Sequence, residues 1–297
     1  QAVADRHGVA PNQIVLELTE SAVMQEAATA LGALARLRLK GFGLSIDDFG
    51  TGYSSLGYLK RFPFSELKID RSFVTDVHLD PDSASLARSM ISIGHNLGLK
   101  VIAEGVETPE QLGFLRRAGC DELQGYYYSP PLPPAACLEF LQTDSVLRLP
   151  SDILDDREQC LLLIDDDPGI LKALQRELRL ENYQILTAGS CAEALPLLAI
   201  HAVDVVLTDM RLADMSGLDL LQRIKGLYPD IIRMVLSGSS EVNSILKAVN
   251  EGVIYRFLTK PWSADDLRSQ LREAFRQRQL EQENQRLRQQ VLGLASV

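Results

Sequence analysis

GLSIDDFGTGYSSL, residues 43–56, is an apolar run that stops on two adjacent carboxylates, Asp47 and Asp48, and passes into a loop rich in glycine and hydroxyl groups. A strand-sized apolar segment closed by polar groups is how a buried parallel strand reads. Outward from it the pattern recurs. Apolar runs lie at Ile14–Leu18, Glu66–Ile69, Lys100–Ala103 and, more weakly, Glu122–Gly125. Helical stripes separate them: Met24, Ala27, Leu31, Leu34 and Ala35 share one face, and Leu86, Met90, Ile93 and Leu97 another. Repeated strand-then-helix units predict an α/β fold with a parallel sheet, whose sites are built at the carboxyl ends of the strands.

At 297 residues the chain has the length of two ordinary domains or one barrel. SPPLPP at 129–134 stops regular structure, and a short helix is expected to follow through Leu141. Residues 143–159, TDSVLRLPSDILDDREQ, are polar, acidic and without periodicity, which marks a linker between a first domain at 1–142 and a second at 160–278. A second β/α series has expected strands near 161–164, 184–186, 204–208, 233–236 and 254–258. The last helix is expected to begin after Pro261 and to run into an extension at 279–297. There Leu280, Leu287 and Leu294 repeat every seven residues, with Asn284 and Val291 between them. That is a two-heptad seam suited to a parallel homodimer, with Glu283 in reach of Arg288 on a second copy.

Composition excludes several classes. The 46% hydrophobic and 24% charged content is that of a globular protein, and no apolar run approaches a membrane span. A net charge of −10 argues against a nucleic-acid partner. Cys120, Cys137, Cys160 and Cys191 have neither zinc nor disulfide-framework spacing, so a cytoplasmic location is expected. His7, His78, His95 and His201 sit in no ligand spacing. The chain opens on Gln1 with no signal-peptide profile, which reads as a cut N-terminus.

The strand ends of the first domain carry its chemistry. Glu17 and Glu20 close the first strand, Asp47 and Asp48 the second, Lys68 and Asp70 the third, Glu104 and Glu107 the fourth, and Gln124 the fifth. Carboxylates so crowded are costly unless cations neutralise them, and oxygen-only ligands suit Mg²⁺ or Mn²⁺. Two such ions about 4 Å apart can activate water against a phosphodiester, with a lysine beside them. The motifs ELTES, DDFGTGYSSL, LKIDRSFV, AEGVET and QGYYYSPPL, in this order, resemble the C-terminal part of an EAL domain, the family of cyclic di-GMP phosphodiesterases that linearise the dinucleotide to pGpG. The resemblance implies that Glu17, Asp47, Asp48 and Glu104 are metal or metal-water ligands and that Lys68 contacts the catalytic water. It further implies that Asp70 and Gln124 support the metal site, and that Glu20 and Glu107 hold the loop Phe49–Ser55. The family's Glu-Ala-Leu strand and the Asn preceding ELTE are missing, so about five of eight βα units of a TIM-type (β/α)8 barrel are expected. They would form a partial, open barrel with little or no hydrolysis.

The second domain reads LLLIDDDPGIL from 161, VVLTDMRLADMSGLDLL from 205, RMVLSGSS from 233 and YRFLTKPW from 255. Asp165, Asp166 and Asp209 at strand ends suit one Mg²⁺ and a carboxylate nucleophile toward phosphorus, while Ser237 and Lys260 would meet the phosphoryl oxygens. These segments resemble a response-regulator receiver domain, a doubly wound flavodoxin-like fold. The resemblance implies that Asp209 is the phospho-acceptor, Asp165 and Asp166 the Mg²⁺ site, Ser237 the switch hydroxyl, Lys260 the phosphate-sensing cation and Phe257 the switch aromatic; for Phe257 a plain core role weighs equally. Lys260-Pro261 is expected to be cis. The expected whole is a two-component signalling protein, partnered by a histidine kinase or phosphotransfer protein, that couples a receiver to cyclic di-GMP. The alternatives are a non-enzymatic module binding cyclic di-GMP or protein and a receiver-driven dimerisation scaffold.

Overall fold

The structure, a computed structural model, describes residues 2–25, 27–51, 56–142, 159–238 and 241–294. The chain divides into two compact units, Gln1–Arg148 and Leu149–Val297. Of the expected linker, residues 143–158 lie outside the described residues, and Gln159 already belongs to a strand.

The first unit is built on a parallel sheet of β1 (Val15–Thr19), β2 (Gly43–Phe49), β3 (Glu66–Ile69), β4 (Lys100–Glu104) and β5 (Glu122–Gln124), paired in sequence order. Consecutive parallel order is that of a βα-barrel segment and brings every carboxyl end to one edge. Among the described residues β1 and β5 each have one neighbour, so the sheet is open. Its apolar middle is fully buried: Leu44, Ile46, Leu67, Ile69, Val101 and Ala103.

The helix Pro81–Asn96 covers this sheet, started by Asp80, whose carboxylate accepts the Ser83 N–H, and by proline at its first turn. Its buried face is Ala84, Ala87, Met90, Ile91 and Gly94, whereas Leu86 is exposed. The stripe expected through Leu86 and Ile93 is therefore rotated, because small residues let the helix lie close to the strands. In the other expected stripe Leu34 is buried, while the Met24 and Ala27 side chains lie outside the described residues.

The second unit contains β6 (Gln159–Ile164), β7 (Tyr183–Ala188), β8 (Val205–Asp209), β9 (Ile232–Ser237) and β10 (Arg256–Thr259), in the order β10-β9-β8-β6-β7. That is the flavodoxin-like doubly wound arrangement, whose chain direction reverses beside β6. Leu161, Leu163, Val205, Leu207, Met234, Leu236 and Leu258 fill the core together with Leu267, Leu271, Ala274 and Phe275 of the last helix. This helix is continuous over Ala264–Leu294, with no break at the expected extension. Beyond Phe275 it remains tied to the unit through Arg278 and Gln282 on Asp204 and through Gln285 on Asp230. Leu280, Leu287 and Val291 are exposed. The tripeptide Glu193-Ala194-Leu195 also belongs to this unit, on the helix Cys191–Ile200, and is no counterpart of the barrel strand it spells. Lys260-Pro261 is cis.

Candidate functional site

At the carboxyl edge of the first sheet, adjacent strand residues should point to opposite faces. Asp47 and Asp48 nevertheless gather. The β2–β3 register shifts between Ile46 and Phe49, and Asp48 has φ 55°, a left-handed conformation that aspartate tolerates better than most residues. Ligand oxygens of Asp47, Asp48 and Glu104 lie within 4.8 Å of one another, which among the described residues is the one acidic trio so close. Its oxygen-only chemistry fits a hard divalent cation.

Lys68 is buried beneath this rim, its Nζ 2.5 Å from Glu104, 2.9 Å from Glu17 and 3.6 Å from Asp47. Glu17 therefore reaches the group through Lys68 rather than as a fourth member of the trio. Burial opposes the Lys68 charge, but hydrogen bonds to Glu104 and Glu17 outweigh it and leave the pKa raised. Burial and the neighbouring Asp47 and Asp70 push the Asp48 carboxyl up as well.

The remaining rim residues act at one remove. Asp70 lies just past β3, and its carboxylate accepts from the Ser72 N–H and hydroxyl, capping the turn Arg71–Phe73. These bonds hold its pKa low. Buried Glu20 accepts the Gly50 N–H on Oε2 at 3.0 Å and thereby anchors the start of the expected loop, of which residues 52–55 lie outside the described residues. Glu107 pairs with Arg71 at 2.9 Å. Gly105, at φ 70°, gives the Arg71 stem room, since a Cβ there would collide with it. Gln111 accepts the N–H groups of Glu107 and Thr108 and donates to the Thr75 carbonyl. Gln124 stands opposite Glu104 in register, and its carbonyl accepts the Val106 N–H. Arg71 and Gln111 thus brace the Glu104–Glu107 loop, and sequence reasoning missed both. His95 lies away from this rim, hydrogen-bonded to Asp121 at 2.9 Å.

In the second unit Lys260 Nζ spans the crevice at the carboxyl edge, 2.6 Å from Asp209 and 3.2 Å from Asp165. Burial opposes its charge, and the hydrogen bonds to Asp209 and Asp165 raise its pKa overall. Asp165 is buried and its carboxyl is pushed up, first by burial and also by Asp209. Asp166 is exposed, so Asp165, Asp166 and Asp209 are not drawn into a trio like that of the first unit. The loop after Asp209 is held tightly: Arg211 N–H reaches Asp209 Oδ2 at 3.3 Å, and a Cβ on Gly217 would strike the Asp209 carbonyl oxygen. Ser237 is buried at the end of β9, and Phe257 is half-buried on β10. None of the described helices is long and apolar enough to cross a membrane.

Residues 1–131 match the EAL domain family and residues 161–272 the response regulator receiver domain family. Among curated relatives, the bifunctional diguanylate cyclase/cyclic di-GMP phosphodiesterase MucR of Pseudomonas aeruginosa is 50% identical over 128 residues, covering 43% of this chain and 19% of that protein. The cyclic di-GMP phosphodiesterase NbdA of the same organism is 49% identical over 138 residues, 46% of this chain and 18% of its own length. The chain thus spans about a fifth of these relatives. Among solved structures, the MucR phosphodiesterase in complex with c-di-GMP is 47% identical, with a TM-score of 0.45, covering 46% of this chain and 55% of that one. A signal receiver domain of an HD domain-containing protein from Pseudomonas fluorescens is 38% identical, with a TM-score of 0.41, covering 44% of this chain and 96% of that one.

Proposed function

For a chain whose residues 1–131 belong to the EAL domain family and residues 161–272 to the response regulator receiver family, we propose a two-component signalling protein in which phosphorylation of Asp209 controls the handling of cyclic di-GMP by the EAL unit. One observation carries the reading. Each unit gathers strand-end carboxylates around a single lysine, Lys68 in one and Lys260 in the other.

In the EAL unit Asp47, Asp48 and Glu104 would hold Mg²⁺ or Mn²⁺, joined by Glu17 once it leaves its bond to Lys68. Bound there, such ions would supply charge neutralisation and an activated water for opening the dinucleotide to pGpG. Lys68 orients that water, while Asp70, Gln124, Glu20 and Glu107 keep the surrounding loops in place. In the receiver Asp165 and Asp166 hold Mg²⁺, Asp209 accepts the phosphoryl group from a histidine kinase or phosphotransfer protein, and Ser237 and Lys260 bond its oxygens. Phe257 follows Ser237 in the switch. The exposed heptad face at Leu280, Leu287 and Val291 joins two copies.

The 297-residue chain gives little or no hydrolysis of cyclic di-GMP, because among the described residues the sheet is open at β1 and β5. A second reading, binding of the dinucleotide without hydrolysis, is favoured by the same openness. Incubation with acetyl phosphate and Mg²⁺ should phosphorylate the wild type and leave Asp209→Asn unmodified in a phosphate-affinity gel. Chromatography of cyclic di-GMP incubations with Mn²⁺ should yield little pGpG. Phosphorylation of Asp209→Asn to the wild-type level would refute the acceptor assignment, and pGpG formation at ordinary turnover rates would refute the weak-hydrolysis reading.

A further inference from the structure

A fourth carboxylate reaches the switch hydroxyl from outside the phosphorylation crevice. Glu241, immediately before the helix Val242–Asn250, accepts a hydrogen bond from Ser237 Oγ on Oε2 at 3.2 Å. Its other oxygen lies 3.5 Å from Arg211 Nε. The Glu241 side chain makes no capping bond to its own helix, so its acceptors face Ser237 and Arg211. The Ser237 hydroxyl has one proton, and the second acceptor in its reach is the Gly238 carbonyl at 2.8 Å. Neither acceptor is Asp209. Ser237 is only 1% exposed, so water is a poor alternative partner for that proton.

We propose that Glu241 is a positioning residue for phosphoryl acceptance, holding the Ser237 hydroxyl turned away from Asp209 while Arg211 fixes the carboxylate in place. A phosphoryl group on Asp209 brings about 1.5–2 negative charges and three strong acceptor oxygens. For Ser237 to donate to one of them, its single proton must leave the pair of acceptors formed by Glu241 Oε2 and the Gly238 carbonyl. The bond to an ionised acceptor is stronger than one to a neutral amide or carbonyl, so the carboxylate biases the receiver toward its unphosphorylated arrangement. Whatever that bias is worth is subtracted from the apparent affinity for a phosphoryl mimic.

The inference rests on the reading of Asp209 as the acceptor, and the test separates the two. The full chain is titrated with beryllofluoride, a mimic of the acyl phosphate, in the presence of Mg²⁺. Bound fluoride is read by fluorine NMR, and Trp262, the chain's single tryptophan, placed two residues beyond Lys260, is read by fluorescence. Glu241→Gln should half-saturate at a roughly three- to tenfold lower concentration than the wild type. In a Ser237→Ala background the same substitution should change little, because the proton it competes for is gone. An affinity for Glu241→Gln equal to or weaker than wild type overturns the proposal. An equal gain in the Ser237→Ala background assigns the effect to net charge alone and overturns it too. No bound beryllofluoride in the wild type refutes the acceptor reading itself.

Discussion

Lys68→Met removes the cation that bridges Glu17, Asp47 and Glu104 while keeping an unbranched apolar stem in the same channel. Its Nζ lies 2.9, 3.6 and 2.5 Å from those three carboxylates, and its side chain is 5% exposed. Removing one partner of a fully buried pair costs about 3–5 kcal/mol, because the remaining charge stays desolvated. Here the orphaned carboxylates keep contact with water, Glu17 at 50% and Glu104 at 20% exposure, which screens the loss to about 2–3 kcal/mol. Because the Lys68 pKa is raised in the folded unit, its contribution is complete at neutral pH and fades only at pH values above about 10, where the unfolded lysine titrates. Scanning calorimetry in EDTA at pH 7.5 should show the first unit unfolding about 5–10 °C lower in Lys68→Met, with the receiver transition unmoved. Adding Mn²⁺ should return more stability to the variant than to the wild type, since the carboxylates then have no competing cation. A variant as stable as wild type in EDTA, or one gaining no more from Mn²⁺, refutes this account of the rim.

Leu287→Lys, at an exposed heptad position, should raise the dimer dissociation constant at least about tenfold in sedimentation equilibrium, by burying a charge in the seam; equal self-association of variant and wild type would place the dimer contact elsewhere. Burial pushes the Cys120 and Cys160 thiols up to about 12. Both should therefore resist iodoacetamide at pH 8 in the native protein and react once it is unfolded, as mass spectrometry of the alkylated peptides can check; rapid native labelling of Cys160 would contradict its environment.

Asp47, Asp209, Ser237 and Lys260 were legible in the sequence because each sits where an apolar run stops, and parallel pairing brings all such stops to one edge. That both units are parallel strand-then-helix series was legible for the same reason. Asp70 reads as a strand-face residue by alternation, yet it caps a turn, because β3 ends one residue earlier. The gathering of Asp47 with Asp48 depends on a register shift and a left-handed φ that no periodicity announces. Arg71, Gln111 and Glu241 escaped for a different reason. Their partners lie on loops or, for Glu241, at the end of β9 and on the loop at Arg211, and loop conformation decides which of many polar residues meet. Leu86 was misplaced because hydrophobic periodicity weighs leucine above alanine, while close helix-on-sheet packing here favours the small residues.

The central claim is that the state of Asp209 is felt by the EAL unit. Its most direct measurement is the calorimetric affinity of the full chain for cyclic di-GMP, with Mg²⁺ present throughout, before and after saturation with beryllofluoride, in wild type and Asp209→Asn. Coupling between sites is typically worth about 1–3 kcal/mol, so the wild-type dissociation constant should shift at least about fivefold while that of Asp209→Asn stays unchanged. An identical wild-type affinity in both states, with beryllofluoride shown to be bound, would contradict the account.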